Sequence, residues 1–104
     1  MGAQELDIAW SLHVQVGVAQ FDWDDANRDH LKRHRVSTEE FEQAMSNDPL
    51  DLEWEDEIRY HTIGETDRGR VLYMVWTARD ADIRAVTSFP APGAAKQAWH
   101  GRKG

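Results

Sequence analysis

The sequence has no cysteine, only three prolines among its 104 residues, and no long apolar run. Without cysteine the chain cannot form disulfide bonds, thiolate metal sites or cysteine nucleophiles, which agrees with a reducing compartment. No stretch approaches the roughly 20 apolar residues that a membrane-spanning helix needs, and no segment resembles a signal peptide. We therefore expect a cytoplasmic protein that does not associate with membranes.

Positive charge is also scarce, because 12 Lys and Arg residues stand against 19 Asp and Glu residues, giving a net charge of −7. Residues 22–57 carry thirteen acidic and four basic residues, whereas residues 58–104 carry four acidic and eight basic residues. Such a chain can present one face to an anion and another to a basic partner. The alternative is a solubility charge whose clustering has no function.

A long strand and a helix are predicted in the first 34 residues of the chain. Residues 6–18 alternate without a break from Leu6 to Val18, which is typical of a strand with one buried face. A helix over about residues 25–34 is predicted after Asp24, since an aspartate there can cap the amide groups of a first turn.

A second helix is predicted by two independent signals at one point. Ser37 and Glu40 have the spacing of a capping box, and Val36 and Phe41 have the spacing of a hydrophobic staple. We expect this helix to end near residue 47, because Pro49 restricts the residue before it and lacks an amide hydrogen.

After Pro49 the pattern changes to that of strands joined by turns. The predicted strands are residues 50–54, 58–64, 70–78 and 82–88, and residues 94–100 are expected to form one or two helical turns. The chain is long enough for one domain, residues 1–104. We expect an α+β fold in which two helices cover one face of a mostly antiparallel sheet of about four to five strands, with an extra N-terminal strand.

An arginine series runs through the predicted strands, at Arg59, Arg70, Arg79 and Arg84. The planar guanidinium fork fits phosphate oxygens, so we expect these groups to converge on one anion site, which suggests RNA chemistry. The alternative is that each arginine lies on the solvated face of its own strand.

Five motifs occur in a fixed order: Phe21-x-Trp23-Asp24, Arg33-His34-x-Val36, Glu57-x-Arg59-x-x-x-Ile63-Gly64, Arg70-Val71-Leu72 followed by Arg79, and Ile83-Arg84. Together they resemble the BrnT family, the ribonuclease toxins of bacterial type II toxin–antitoxin modules. The resemblance covers about residues 20–91, leaving 1–19 as an N-terminal extension and 92–104 as a short tail or helix. It implies a RelE-like fold, endoribonuclease activity and a small antitoxin partner similar to BrnA, in a homodimer or a heterotetramer.

Several positions depart from the family pattern. Arg35 stands where the family usually has glycine, and His30 where it usually has asparagine. Phe89, Ala95 and Trp99 occupy positions where the family commonly has arginine, glutamate and tyrosine. If the missing arginine or glutamate is needed for cleavage, the resemblance implies a divergent or degenerate member. That leaves a non-catalytic module, which binds an antitoxin-like partner or itself, as the alternative function.

A ribonuclease that uses no metal needs a base for the 2′-hydroxyl, positive donors for the phosphorane and an acid for the leaving oxygen. The candidate proton carriers are His34 and Glu57, and the candidate donors are Arg59, Arg70 and Arg84. Both proton carriers also have a structural alternative, since a histidine at a helix end interacts with the helix dipole and Glu57 can pair with Arg59.

The further RNA-binding candidates are Arg33, His61, Arg79 and Trp76. His61 shares a strand face with Arg59 by alternation, and an indole can stack on a base, although aromatic residues inside an apolar strand are also typical of a core. Because no third ligand accompanies His30 and His34, we expect no metal ion and no other cofactor.

Overall fold

The computed structural model describes residues 20–52 and 59–103, except for the side chain of Lys103. The predicted strand over residues 6–18 and the candidate Glu57 lie outside the described residues. The elements are α1 (Asp25–Arg33), α2 (Thr38–Ser46), β1 (Leu50–Leu52), β2 (Tyr60–Glu65), β3 (Val71–Arg79), β4 (Asp82–Pro90) and α3 (Gly93–Lys103). No helix in these ranges is long and apolar enough to span a membrane.

Helix α1 starts at the predicted cap. The Asn27 amide donates to Asp24 Oδ1 at 2.9 Å, and the Asp24 amide donates to Asn27 Oδ1 at 2.8 Å. These reciprocal bonds satisfy two amide groups that have no partner within the helix. The Asn27 side chain also donates to the carbonyl of Asp22 at 2.8 Å, which fixes the chain that enters the helix.

Helix α2 confirms the predicted capping box. The Glu40 amide donates to Ser37 Oγ and the Ser37 amide donates to Glu40 Oε1, both at 3.0 Å. Val36 and Phe41, the predicted staple, are both buried in the same apolar cluster. Local spacing was sufficient here because all the bonded atoms lie within one helical turn.

The four strands of the described residues form one antiparallel sheet in the order β1-β2-β3-β4. Tyr60 pairs with Trp76 across β2 and β3, and Thr77 pairs with Arg84 across β3 and β4. Phe21 adds an isolated parallel bridge to Ile83 at the edge of β4. The predicted α+β fold is confirmed, and the ends of β3 and β4 differ from the predicted ones by at most two residues.

Helices α1 and α2 cover one face of the sheet, which we call the helical face. Its core combines Leu31, Phe41 and Met45 of the helices with Met74 and Trp76 of β3. Gly64 passes directly beneath α2, where an added Cβ atom would lie 2.3 Å from the carbonyl oxygen of Ala44. A side chain at that position would push the helix off the sheet.

Helix α3 packs on the opposite face, which we call the α3 face. Trp99 is buried there against Ile63 and Val71, and its indole nitrogen donates to Glu65 Oε1 at 2.9 Å. The tail is therefore a longer helix than the one or two turns predicted. It docks because Ile63 and Val71 would otherwise expose apolar surface to water.

Candidate functional site

The α3 face brings together side chains from all three long strands. By register, Ile63, Tyr73 and Phe89 lie in one row across the sheet, and His61, Val75 and Thr87 form the next. Opposing residues of antiparallel strands share a face, so these side chains project on the same side as α3. The expected alternation of His61 with Thr62 is confirmed, because Thr62 lies on the helical face.

A continuous row of rings crosses this face from α1 to β2. The ring of His34, at the C-terminal end of α1, lies 5.8 Å from that of Phe89, measured between centroids. Phe89 stacks on Tyr73 at 5.1 Å with an interplanar angle of 9°, and Tyr73 meets His61 edge to face at 5.6 Å. The two candidate histidines therefore lie at opposite ends of one aromatic row.

Tyr73 orients His61 within this row. The Tyr73 hydroxyl lies 2.6 Å from His61 Nδ1. Burial raises the pKa of Tyr73 above its ordinary value. In the neutral tautomer that carries its proton on Nδ1, His61 donates to the Tyr73 hydroxyl, and its Nε2 is left unprotonated and able to accept a proton.

Arg84 is held at the edge of the α3 face by two carboxylates. Its Nη2 lies 2.8 Å from Asp24 Oδ2, and its Nη1 lies 3.6 Å from Asp22 Oδ2. Arg79 Nη1 lies 3.6 Å from the same Asp22 oxygen. The Asp22 carboxylate therefore lies between two guanidinium groups and partly neutralises both.

The ion pair of Arg84 with Asp24 also involves the N-cap residue of α1. The backbone hydrogen bond from Asn27, followed by the hydrogen bond from Arg84, lowers the pKa of Asp24 below its ordinary value. Arg84 Nη1 is buried and makes no hydrogen bond within the described residues. A buried donor of this kind costs free energy until an acceptor reaches it.

Arg70 lies elsewhere and has different partners. Its Nη1 donates to both carboxylate oxygens of Glu40, at 3.0 and 2.9 Å, and to the carbonyl of Arg35 at 2.7 Å. Although burial, the largest influence, raises the pKa of Glu40, the hydrogen bond from Ser37 and the Arg70 guanidinium outweigh it and lower that pKa.

The expected convergence of the arginines is therefore wrong for Arg70 and Arg84. Arg70 directly precedes β3, and Arg84 pairs with Thr77, seven residues after Arg70, a distance of about 23 Å at the usual strand rise. Each guanidinium is held by its own carboxylates. The first turn of α2 lies beside the start of β3, and this proximity directs Arg70 toward Glu40.

Arg59 is exposed and directly precedes β2. Arg59 lies one residue before Tyr60, which pairs with Trp76, and Thr77, the residue after Trp76, pairs with Arg84. Within residues 20–52 and 59–103, no carboxylate forms an ion pair with Arg59. Arg59, His61 and Arg84 thus lie toward the same end of the paired strands β2, β3 and β4.

The other candidates lie in different places. Trp76 is only 8% exposed and lies in the core of the helical face, so the interpretation of its ring as a base-stacking surface is corrected. Tyr60 stacks on Trp76 at 4.5 Å and takes the exposed position. Arg33 is exposed on α1, and the Arg79 side chain is 62% exposed at the end of β3.

Sequence reasoning missed the roles of Asp22, Tyr60 and Phe89. Asp22 and Phe89 become visible only through strand register, because their contacts are with β4 and β3. The sequence contained one signal for Tyr60: by strand alternation, its side chain lies on the face opposite to that of Arg59 and His61. Among the described side chains, no group of three or more His, Asp or Glu residues is arranged to hold a metal ion.

A cavity of about 530 Å³ lies at the turn between β2 and β3, away from Arg84. It is lined mainly by polar residues, Asn47, Asp48, Glu65, Thr66 and Asp67, with Trp99 and Arg102 of α3. None of the candidate site residues lines it.

A family model described as "Ribonuclease toxin, BrnT, of type II toxin-antitoxin system" matches residues 23–91, about two thirds of the chain. The matched range runs from the entry into α1 to the end of β4 and contains every candidate site residue. Neither a curated protein nor a solved structure matches the chain.

Proposed function

Because the chain belongs to the BrnT family of ribonuclease toxins from type II toxin–antitoxin systems, we propose that it cleaves single-stranded RNA by attack of the 2′-hydroxyl, without a metal ion. Membership implies an RNA target and an antitoxin protein partner. The observation that supports the proposal is that His61 lies on the α3 face toward the end of the sheet where Arg84 pairs with Thr77 and where Arg59 precedes β2.

The chemistry follows from that placement. His61, oriented by Tyr73, takes the proton of the 2′-hydroxyl, and the guanidinium groups of Arg59 and Arg84 stabilise the negative charge that builds on the phosphorane. Glu57, two residues before Arg59 and outside the described residues, stays a prediction as the acid for the leaving 5′-oxygen. A general base of this kind contributes about 10²- to 10⁴-fold in rate.

We propose that His34 and Arg70 bind the RNA and take no part in its cleavage. His34 is exposed, but it contacts Phe89, which lies five residues from Arg84 along β4, a distance of about 16 Å. Arg70 is bound to Glu40 and lies further still from Arg84, at about 23 Å. We therefore assign both to binding the RNA strand beyond the cleavage point, together with Arg33 and Arg79.

The partner and location are part of the same proposal. A small antitoxin similar to BrnA would cover the basic side chains of residues 59–84, in a homodimer or a heterotetramer with the toxin. Helix α2 carries three glutamates and no basic residue, so its surface is negatively charged and lies apart from the basic side chains that the antitoxin would cover. The proposed RNA substrate and the antitoxin place the protein in the cytoplasm.

The test is cleavage of single-stranded RNA by purified protein with a metal chelator present. We expect cleavage that leaves 2′,3′-cyclic phosphate ends, with large losses in the Arg59→Ala and His61→Ala variants. Arg68→Ala is the matched control, since Arg68 is an exposed arginine in the turn between β2 and β3. Intact RNA, together with an Arg59→Ala variant that is as toxic in bacteria as the unchanged protein, would contradict the proposal.

One observation favours the alternative, a non-catalytic module that binds an antitoxin-like partner or itself. Arg70 and Arg84 are both held by carboxylates, which weakens their attraction for phosphate. Normal bacterial growth on overexpression, together with co-purification of a small partner, would support this function. RNA cleavage that Arg59→Ala abolishes would exclude it.

A further inference from the structure

The segment that leaves α1 holds an arginine in a strained conformation. Arg35 has a φ of 59°, in the left-handed region that favours glycine and disfavours residues with a Cβ atom. The conformation belongs to a Schellman motif, in which the Arg35 amide donates to the Lys32 carbonyl at 2.9 Å and the Val36 amide donates to the Leu31 carbonyl at 3.1 Å. Arginine at this position therefore lowers stability relative to glycine.

The backbone around Arg35 is fixed on both sides. Leu31 and Val36 are buried together in the core of the helical face, an apolar contact that commonly accompanies this motif. The Arg35 carbonyl accepts a hydrogen bond from Arg70 Nη1 at 2.7 Å. These contacts involve only the backbone of Arg35, so glycine would keep all of them. The exposed guanidinium is thus the part of Arg35 that this motif does not explain.

Two further cations lie next to Arg35, because the last turn of α1 carries the exposed side chains of Lys32 and Arg33. We call Lys32, Arg33 and Arg35 the basic end of α1. Within residues 20–52 and 59–103 these three form no ion pair, in contrast to Arg70 and Arg84. The helix dipole favours cations in the last turn, which accounts for Lys32 and Arg33 but not for an arginine in a left-handed position beyond that turn.

The basic end of α1 adjoins the α3 face on which we place the RNA. His34, the residue before Arg35, has its ring 5.8 Å from that of Phe89, measured between centroids. Phe89 lies five residues from Arg84 along β4, a distance of about 16 Å. That distance corresponds to about five nucleotides at the roughly 3.4 Å spacing of stacked nucleotides. Sites for single strands cover about 4–16 nucleotides, so one RNA strand can reach both ends of this path.

We propose that the basic end of α1 is a phosphate-binding subsite for single-stranded RNA, in which the Arg35 guanidinium holds one phosphodiester of the strand beyond the cleavage point. This inference rests on the proposed function and adds a substrate contact to it. The attraction comes from the side chains, since the C-terminal end of a helix itself carries a partial negative charge. Phosphate contacts carry no sequence information, so the subsite contributes equally for every RNA sequence.

Arg35→Gly is a sharp test, because its expected effects on stability and on binding have opposite signs. The melting temperature should rise by about 2–8 °C, since glycine adopts the left-handed conformation without steric cost. RNA affinity is measured by fluorescence anisotropy with labelled 2′-O-methyl oligoadenylate and oligouridylate, which lack the nucleophile and are not cleaved. Kd should rise about two- to fivefold for both probes. The dependence of log Kd on log salt concentration should become shallower by about 0.7.

Three further variants control for charge and for the backbone. Arg68→Ala removes the same charge from an exposed arginine in the turn between β2 and β3 and should leave Kd unchanged. Arg35→Lys keeps the charge and should retain the affinity of the unchanged protein. Lys32→Gln removes a second cation of the basic end without touching the left-handed residue. It should also raise Kd, and it keeps the proposal testable if Arg35→Gly does not fold.

The outcomes separate the subsite from the proposed function. An unchanged Kd in Arg35→Gly, with cleavage retained, overturns the subsite and leaves the proposed function standing. An equal loss of affinity in Arg68→Ala attributes the effect to net charge and also overturns the subsite. Unchanged RNA affinity with weakened antitoxin binding identifies Arg35 as a protein contact, which overturns it too. If the unchanged protein neither binds nor cleaves RNA, the proposed function fails and the subsite fails with it.

Discussion

Arg70 bonds both carboxylate oxygens of Glu40 through a single guanidinium nitrogen, and this pair joins the start of β3 to the first turn of α2. Glu40 is also the second half of the capping box of α2. The Glu40 carboxylate therefore caps the start of α2 and also binds the arginine that precedes β3. An arginine that the sequence marks as a phosphate ligand thus has a structural role in the folded protein.

Glu40→Ala is expected to lower the free energy of unfolding by about 1–2 kcal/mol, because it removes a capping interaction and a partly buried ion pair. Glu39→Ala is the matched control, since Glu39 is an exposed acid in the same helical turn. Its effect should stay within about 0.5 kcal/mol. Urea unfolding followed by circular dichroism measures both, and equal losses would contradict the role given to Glu40.

The same pair predicts a pH dependence of stability. Because the pKa of Glu40 is lowered in the folded protein, its contribution is fully present above the ordinary value of 4.5. The contribution is lost as the pH falls through the lower, folded-state pKa, because the unfolded chain then binds more protons. Unfolding curves between neutral and acid pH should show a smaller stability loss in Glu40→Gln than in the unchanged protein.

Ala81→Gly is expected to stabilise the protein by about 0.5–1 kcal/mol. Ala81 has a φ of 70° in the turn between β3 and β4, a left-handed conformation that an alanine side chain disfavours. Ala78→Gly, in the adjoining strand, is the control and should destabilise by a similar amount, because glycine weakens a strand. Thermal unfolding that shows Ala81→Gly to be as destabilising as Ala78→Gly would refute this prediction.

Asp22→Asn is expected to increase affinity for RNA about 1.5- to fivefold, the range that corresponds to a single exposed ion pair. The change removes the carboxylate that lies between Arg79 and Arg84 and so raises the positive potential of both. Asp25→Asn is the control, an exposed aspartate on α1. Anisotropy titrations at two salt concentrations measure the effect, and equal gains in both variants would point to net charge alone.

Tyr73→Phe is expected to lower kcat about five- to tenfold with KM unchanged, since it removes one hydrogen bond of about 1 kcal/mol that orients His61. His34→Ala, at the other end of the aromatic row, should leave kcat in place, because His34 is assigned to RNA binding. A kcat that is unchanged in Tyr73→Phe would show that the phenol does not act through His61.

The helix starts were predictable because their causes are local. The capping bonds of Asp24 with Asn27 and of Ser37 with Glu40 join residues three apart, so spacing alone identifies them. The strands after Pro49 were predictable from their period for the same reason. The length of α3 was not, because Trp99 gains its burial from Ile63 and Val71, which are distant in the chain.

The site could be predicted only in part. The opposite faces of His61 and Thr62 in β2 followed from alternation, whereas the aromatic row through Tyr73 and Phe89 required the pairing of three strands. Trp76 was misassigned because an apolar strand does not reveal which of its faces the helices cover. Tyr60, its neighbour in the sheet, has the exposed ring instead.

The sequence by itself determined the α+β class, the two helix starts and the resemblance to the BrnT family, since each depends on residues close together in the chain. Only the tertiary structure decided what each arginine does. Arg70 meets Glu40 across 30 residues, and Arg84 meets carboxylates that precede α1, so their charges are set by packing. A guanidinium is drawn to the nearest anion, and which anion lies nearest is a property of the folded sheet.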